Sequence, residues 1–229
     1  MKNPLIAKLF LFVVGLLIPV QQSVPVGKEP RHKVMFENPY VRVIDAMVKI
    51  GDATLFHTHD LDNVPVNVGG GKLKTETVGQ REAVFTTMET GRTSFAKGGY
   101  THRITNVGDT PLRFIDAEIL APFGKVSKAA MQEAALEKTA GHTLILENER
   151  VRVYRLIIEP GQTIAAHAHV LPRLSVSVTS GELAIENNNR KAKTKSFAVG
   201  DFNWHEPLKR HVLKNLGTEK YESVEIEWK

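Results

Sequence analysis

Six histidines in two matched sets carry the chemistry that this sequence suggests. The stretch GDATLFHTH, Gly51 to His59, places His57 and His59 after a turn glycine. GQTIAAHAH, Gly161 to His169, does the same with His167 and His169. Each pair is followed much later by a lone histidine with asparagine four residues on, His102 with Asn106 and His211 with Asn215. Residues two apart on a β-strand point to one face, so each His-x-His pair can aim both rings at one point. A third ring joins them if a distant strand folds alongside. Neutral imidazole suits Fe, Mn, Ni, Cu or Zn, and three nitrogens leave positions open for water or a substrate. The chain has no cysteine. That excludes thiolate ligands, thiol nucleophiles and disulfides.

The elements that must position these rings read as strands. VRVIDAMVKI, VPVNV and LRFIDAEIL in the first half are short, β-branched and bounded by glycine turns, as are VRVYRLIIE, RLSVSV and YESVEIEW in the second. FENPYVRV (Phe36 to Val43) returns as LENERVRV (Leu146 to Val153) at an offset of 110. The same offset carries Gly51, His57 and His59 onto Gly161, His167 and His169, and the later His and Asn match at 109. A repeat this long is a duplicated domain and not a solenoid unit. Between the copies, SKAAMQEAALEKT (Ser127 to Thr139) predicts a connecting helix with Ser127 as N-cap and Gly141 past its end. No chemistry is expected of it. The expected organisation is a leader over 1–23, β domains over 34–124 and 142–229, and a helical linker over 125–141.

Composition bounds the function classes. The 229 residues are 42% hydrophobic and 24% charged, ordinary values for a soluble globular chain. Net charge is only +5, and the basic residues are spread out except for a run from Arg190 to Lys195 that reads as a solvated hairpin. Nucleic-acid binding is not supported. Lys2 and Lys8 flank and precede the apolar run LFLFVVGLLIPV, which fits the core of a secretory signal. Export to the periplasm or the exterior is expected, with the leader either cleaved near Gln21–Ser23 or kept as a membrane tether. A buried N-terminal helix is the competing reading. His32 and His142, just ahead of the repeats, read as surface residues, and His205 beside Trp204 as a packing residue near a pocket.

Taken together, the paired histidines, their glycines and the His-x-x-x-Asn ends resemble the cupin superfamily, and the two-copy layout resembles a bicupin. The resemblance spans residues 34 to about 228. It implies an all-β chain of two tandem jelly-roll barrels with His57, His59 and His102 around one metal and His167, His169 and His211 around the other. It further implies a divalent transition metal, iron first, with Mn, Ni, Cu or Zn as alternatives. A dioxygenase acting on a small oxygenated substrate is the leading activity, a non-catalytic small-ligand module the alternative, and association into homo-oligomers is in keeping with the family. One departure stands out. The family's glutamate ligand should fall at Asn63 or Val64, and at Arg173 or Leu174, and neither half has it. Asn63, Asp60 or Asp62 are candidate substitutes in the first half. In the second, Arg173 is either a clamp for a substrate carboxylate or a cation standing in for a lost metal.

Overall fold

The computed structural model of the protein describes residues 22–124 and 126–229. The expected leader lies outside them except for its last two residues. The first half runs β1 (Val24–Pro25), β2 (His32–Glu37), β3 (Val41–Val48), β4 (His57–His59), β5 (Asn63–Gly69), β6 (Gly71–Thr77), β7 (Val84–Met88), β8 (Tyr100–Asn106) and β9 (Leu112–Ile119). After a short helix α1 (Lys128–Glu133), the second half runs β10 (His142–Glu147), β11 (Val151–Ile158), β12 (Thr163–His169), β13 (Arg173–Ser177) and β14 (Gly181–Asn187). It ends with β15 (Lys193–Phe197), β16 (Phe202–His205), β17 (Leu208–Asn215) and β18 (Tyr221–Trp228).

Each half is a pair of sheets. The first has orders β1-β4-β8-β6-β7 and β2-β3-β9-β5; the second has β12-β17-β14-β15 and β10-β11-β18-β13-β16. Hydrogen bonding does not run continuously round either half, so the closed barrels expected from the resemblance are open two-sheet jelly rolls. Duplication is visible in detail. A register shift between Val34 and Phe36 in the β2–β3 ladder recurs between Leu144 and Leu146 in β10–β11. Gly51 and Gly161 sit at φ of +72° and +73° in open space. Glycine is needed there for its backbone, since any Cβ disfavours that conformation.

The two halves share a core. β9 alternates Ile115, Ala117 and Ile119 with Asp116 and Glu118, and β18 alternates Val224, Ile226 and Trp228 with Glu225 and Glu227, yet both faces are buried. The apolar faces meet between the halves, where eight residues from each form one cluster. They correspond pairwise: Val41 with Val151, Val64 with Leu174, Val66 with Val176, Ile119 with Trp228. The acidic faces turn into the interior of each half.

The helix is shorter than the sequence predicts. Ser127 does cap it, its Oγ accepting from the Ala130 amide at 3.2 Å, but α1 ends at Glu133. The chain then turns so that Ala135 and Leu136 are buried, with a 3-10 turn over Leu136–Lys138. Val26 is buried in the same way in a 3-10 turn over Val26–Lys28, 110 residues earlier. Burial of Leu136 in the second half's repeat overrides the local helix propensity of EAALEK.

Asn106 and Asn215 are structural. Asn215 Nδ2 donates to the Ile158 and Glu219 carbonyls at 2.9 and 2.8 Å, and its Oδ1 accepts from the Gly217 amide at 2.9 Å. Asn106 makes the equivalent bonds to Val48, Thr110 and Gly108. Asn215→Ala strands three backbone groups, the Ile158 carbonyl among them being buried. It should lower the free energy of unfolding by about 1–3 kcal/mol in urea titration, with the metal content of the protein unchanged.

Candidate metal centres

His57 and His59 project from one face of β4, and His102 stands directly across from His57 on antiparallel β8. The distant third histidine is thus a cross-strand neighbour, with its side chain on the same face. In the second half His167 and His169 lie on β12 and His211 faces His167 from β17. Register shifts flank His167 on both sides, and such irregularities re-aim side chains. In each set one nitrogen per histidine lies within 4.8 Å of the other two.

The tautomers suit a cation. His57 Nδ1 lies 3.0 Å from the Leu55 carbonyl and His167 Nδ1 2.8 Å from that of Ala165. A carbonyl only accepts, so Nδ1 carries the proton and Nε2 keeps its lone pair. His211 Nδ1 is held by Asn187 Oδ1 at 2.6 Å, with the same result. In the first set the Nε2 atoms of His57 and His102 are 2.9 Å apart. Two nitrogens bound at right angles to one ion, at roughly 2.1 Å each, stand about 3 Å apart. Here His102 Nε2–H donates to His57 Nε2, and a metal taking the place of that proton would find the two nitrogens at a fitting separation. In the second, His167 Nε2 and both ring nitrogens of His169 are buried with no hydrogen-bond partner, as a ligand set would be.

Sequence reasoning missed residues at both sites. His32 and His142 are not surface residues: their side chains are 6% and 0% exposed. The His32 ring is 4.5 Å from that of His57, and His32 Nδ1 meets buried Glu29 at 2.7 Å. The His142 ring is 5.2 Å from that of His167. They obey the 110 offset, and that was the signal. The carboxylates near the rings are also not the expected ones. Asp60 is exposed, and Asp62 is engaged with the Gly98 amide and Arg150. Asp116 of β9 lies behind His59, its Oδ2 3.6 Å from Nδ1, with Asn63 Nδ2 3.3 Å from the same nitrogen. Its counterpart at offset 109, Glu225 of β18, sits 3.4 Å from Arg173 Nε and 3.5 Å from His142 Nε2.

Charge divides the two sites. Burial raises the Asp116 carboxyl to about 7, helped by Glu118, and among the described residues no lysine or arginine forms an ion pair with it. Burial also pushes Glu225 up, but Arg173, His142 and His169 together outweigh it and hold the carboxyl well below the usual range. One site thus lacks the cation that the other carries in its own sequence. Burial lowers the histidines, His57 to about 4 and His102 and His211 to about 3, with His32, His57 and Arg173 respectively adding repulsion.

These shifts have a sign. Each depressed histidine contributes stability that is complete above its unfolded value near 6.5 and is lost as pH falls toward its folded value. Eight histidines act in this direction, against raised Asp116, Glu118 and Glu227 acting oppositely. Metal-free protein should therefore lose melting temperature progressively from about pH 6.5 toward pH 4. A pH-independent melting temperature over that range in calorimetry would contradict the assignment.

Each site opens into a cavity. The first, of about 360 Å³, is lined by His32, His59, His102, Tyr100 and Asp116 among several threonines. The second, of about 430 Å³, is lined by His205, His211, Glu225 and Arg173, which is 1% exposed. His205 thus lines a pocket, with Nε2 3.1 Å from Ser175 Oγ. A separate opening beside α1 reaches His167 and His169 past Ala130 and Ala134, so the linker borders the site.

No protein-family description and no curated protein matches the sequence. Solved structures do match. A salicylate 1,2-dioxygenase from Pseudaminobacter salicylatoxidans aligns at TM-score 0.58 and 14% identity, over 89% of this chain and 78% of that one. Oxalate decarboxylase from Bacillus subtilis aligns at 0.58 and 11%, over 82% and 68%. AerE from Microcystis aeruginosa aligns at 0.59 and 11%, over 88% and 98%. The fold is that of a bicupin. At these identities the likeness is one of architecture, and the chemistry of this chain has to be argued from its own side chains.

Proposed function

We propose that this bicupin is an exported metal protein whose first half holds a divalent transition metal, iron foremost, on His57, His59 and His102. The reaction proposed is dioxygenation of a small oxygenated substrate in the adjoining cavity. The observation that carries this reading is the 2.9 Å approach of the His57 and His102 Nε2 atoms, alongside a buried Asp116 carboxyl behind His59. When bound, the metal would supply Lewis acidity and, if redox-active, dioxygen activation. The chain's own residues do the positioning. Asp116 orients His59 from behind, where it can accept from Nδ1–H, Tyr100 stacks on its ring at 4.7 Å, and Glu29 fixes His32 at the cavity wall.

A second reading applies to the second half. Arg173 is a fixed cation beside His167, His169 and His211, and repels a metal unless an anion lies between them. That half is better suited to holding a ligand without turnover, with Arg173 as a ligand contact. Metal analysis of the purified protein, followed by oxygen uptake with diols, diketones and flavonols, tests the proposal. Protein that binds no stoichiometric transition metal when supplied would end the dioxygenase reading. Metal without uptake would favour the binding module. Export rests on the leader over 1–23, and N-terminal sequencing of the native protein tests whether it is cleaved.

A further inference from the structure

We propose that the cavity of the second half binds a small organic monocarboxylate with an apolar body, its head on Arg173 and its path lined by the basic β14–β15 hairpin. The proposal rests on the reading of Arg173 as a ligand contact and requires neither metal nor turnover.

Arg173 is buried at the cavity wall. Its Nε faces Glu225 at 3.4 Å, while Nη1 has no hydrogen-bond partner. A buried guanidinium N–H without an acceptor is costly, and a carboxylate is the acceptor whose planar geometry it matches. The charge of the lining points the same way. Arg173, Arg190, Lys191, Lys193 and Lys195 face a single acid, Glu225, which Arg173 already pairs. The last four cations are exposed, and so stand where the cavity meets solvent. They raise the local concentration of anions and speed their capture.

The walls decide the rest of the ligand. Leu156, Leu183, Ile185, Leu213 and Phe197 line the same cavity. A bare phosphate or a sugar acid would leave them uncovered, whereas a short alkyl or aryl group would be buried by them. A volume of about 430 Å³ is in the range of small-molecule pockets. The first half's cavity differs in kind. Among the described residues its lining holds one arginine, Arg92, and its walls carry Thr75, Thr86, Thr87 and Thr93.

The test is isothermal titration of the whole protein, stripped of metal and again reloaded, with C4 to C9 aliphatic and aromatic monocarboxylates and their neutral amides. Saturable binding of acids is expected, with amides at least tenfold weaker. Arg173→Gln alone leaves Glu225 buried and unpaired, so the double variant Arg173→Gln/Glu225→Gln is used. It should lose tenfold or more in affinity for the acids, as expected for a charged hydrogen bond. The surface variant Lys191→Gln/Lys193→Gln/Lys195→Gln should bind acids more weakly at low salt, with the difference fading at high salt. Amides binding as tightly as acids, full affinity in the double variant, or no saturable binding of any acid would each overturn the proposal. Metal content and oxygen uptake are independent of all three, so the metal reading stands or falls separately.

Discussion

His57→Ala should empty the first site of metal. After dialysis against buffered metal, emission spectrometry should show the variant short of wild type by the first half's share, with affinity down by more than about 100-fold. The size follows from the role: second-shell partners of a metal-binding histidine are already worth 10–100-fold, and His57 supplies a ligand nitrogen. His57 Nδ1 is spent on the Leu55 carbonyl, which leaves Nε2 as its ligand atom, facing His102 at 2.9 Å, and the variant leaves only His59 and His102 of the set. Asp116→Asn should act more mildly, weakening metal by about tenfold through His59. If His57→Ala keeps the wild-type stoichiometry and affinity, the first set is not the metal site.

Arg173→Met should be among the most damaging single changes to stability, about 3–5 kcal/mol in urea titration. Removing one partner of a buried ion pair leaves the other charge uncompensated. Glu225 is fully enclosed, with Arg173 the nearest cation. Arg173→Asn/Glu225→Asp, which installs the residues of the first half, should recover much of that loss. A cycle of Arg173→Asn, Glu225→Asp and their double in which the double is as destabilised as the sum of the two singles would show the pair to be uncoupled. The comparison also separates the two halves: the first tolerates Asn63 and Asp116 together because burial lets the carboxyl hold its proton to about pH 7.

Much of this was legible in the sequence, for physical reasons. The six histidines stand out because a strand repeats every two residues and the whole pattern recurs after 110. The missing glutamate was equally visible, and it led to Arg173. The acids were not. Asp116 and Glu118 alternate with Ile115, Ala117 and Ile119, which from sequence alone reads as a strand with one face in water. Only the packing of the two halves shows that the apolar face belongs to the shared core and the acidic face to the interior. His32 was misread because it precedes the recognisable repeat on an edge strand, although His142 repeats it. The helix was overextended because propensity sums over EAALEK cannot register that Leu136 is needed elsewhere.

The matched seam also speaks to ancestry. A single-domain forerunner would have carried Val41, Val43, Val64 and Val66 on its surface, and a second copy of itself offers the same residues in the same order. Equivalent meeting equivalent is the signature of a twofold homodimer. This chain has the arrangement of such a dimer within one polypeptide. Joining the copies makes the partner permanent and removes concentration from the association equilibrium. It also ends the requirement that both copies be identical, so one pocket can carry Arg173 where its twin has Asn63.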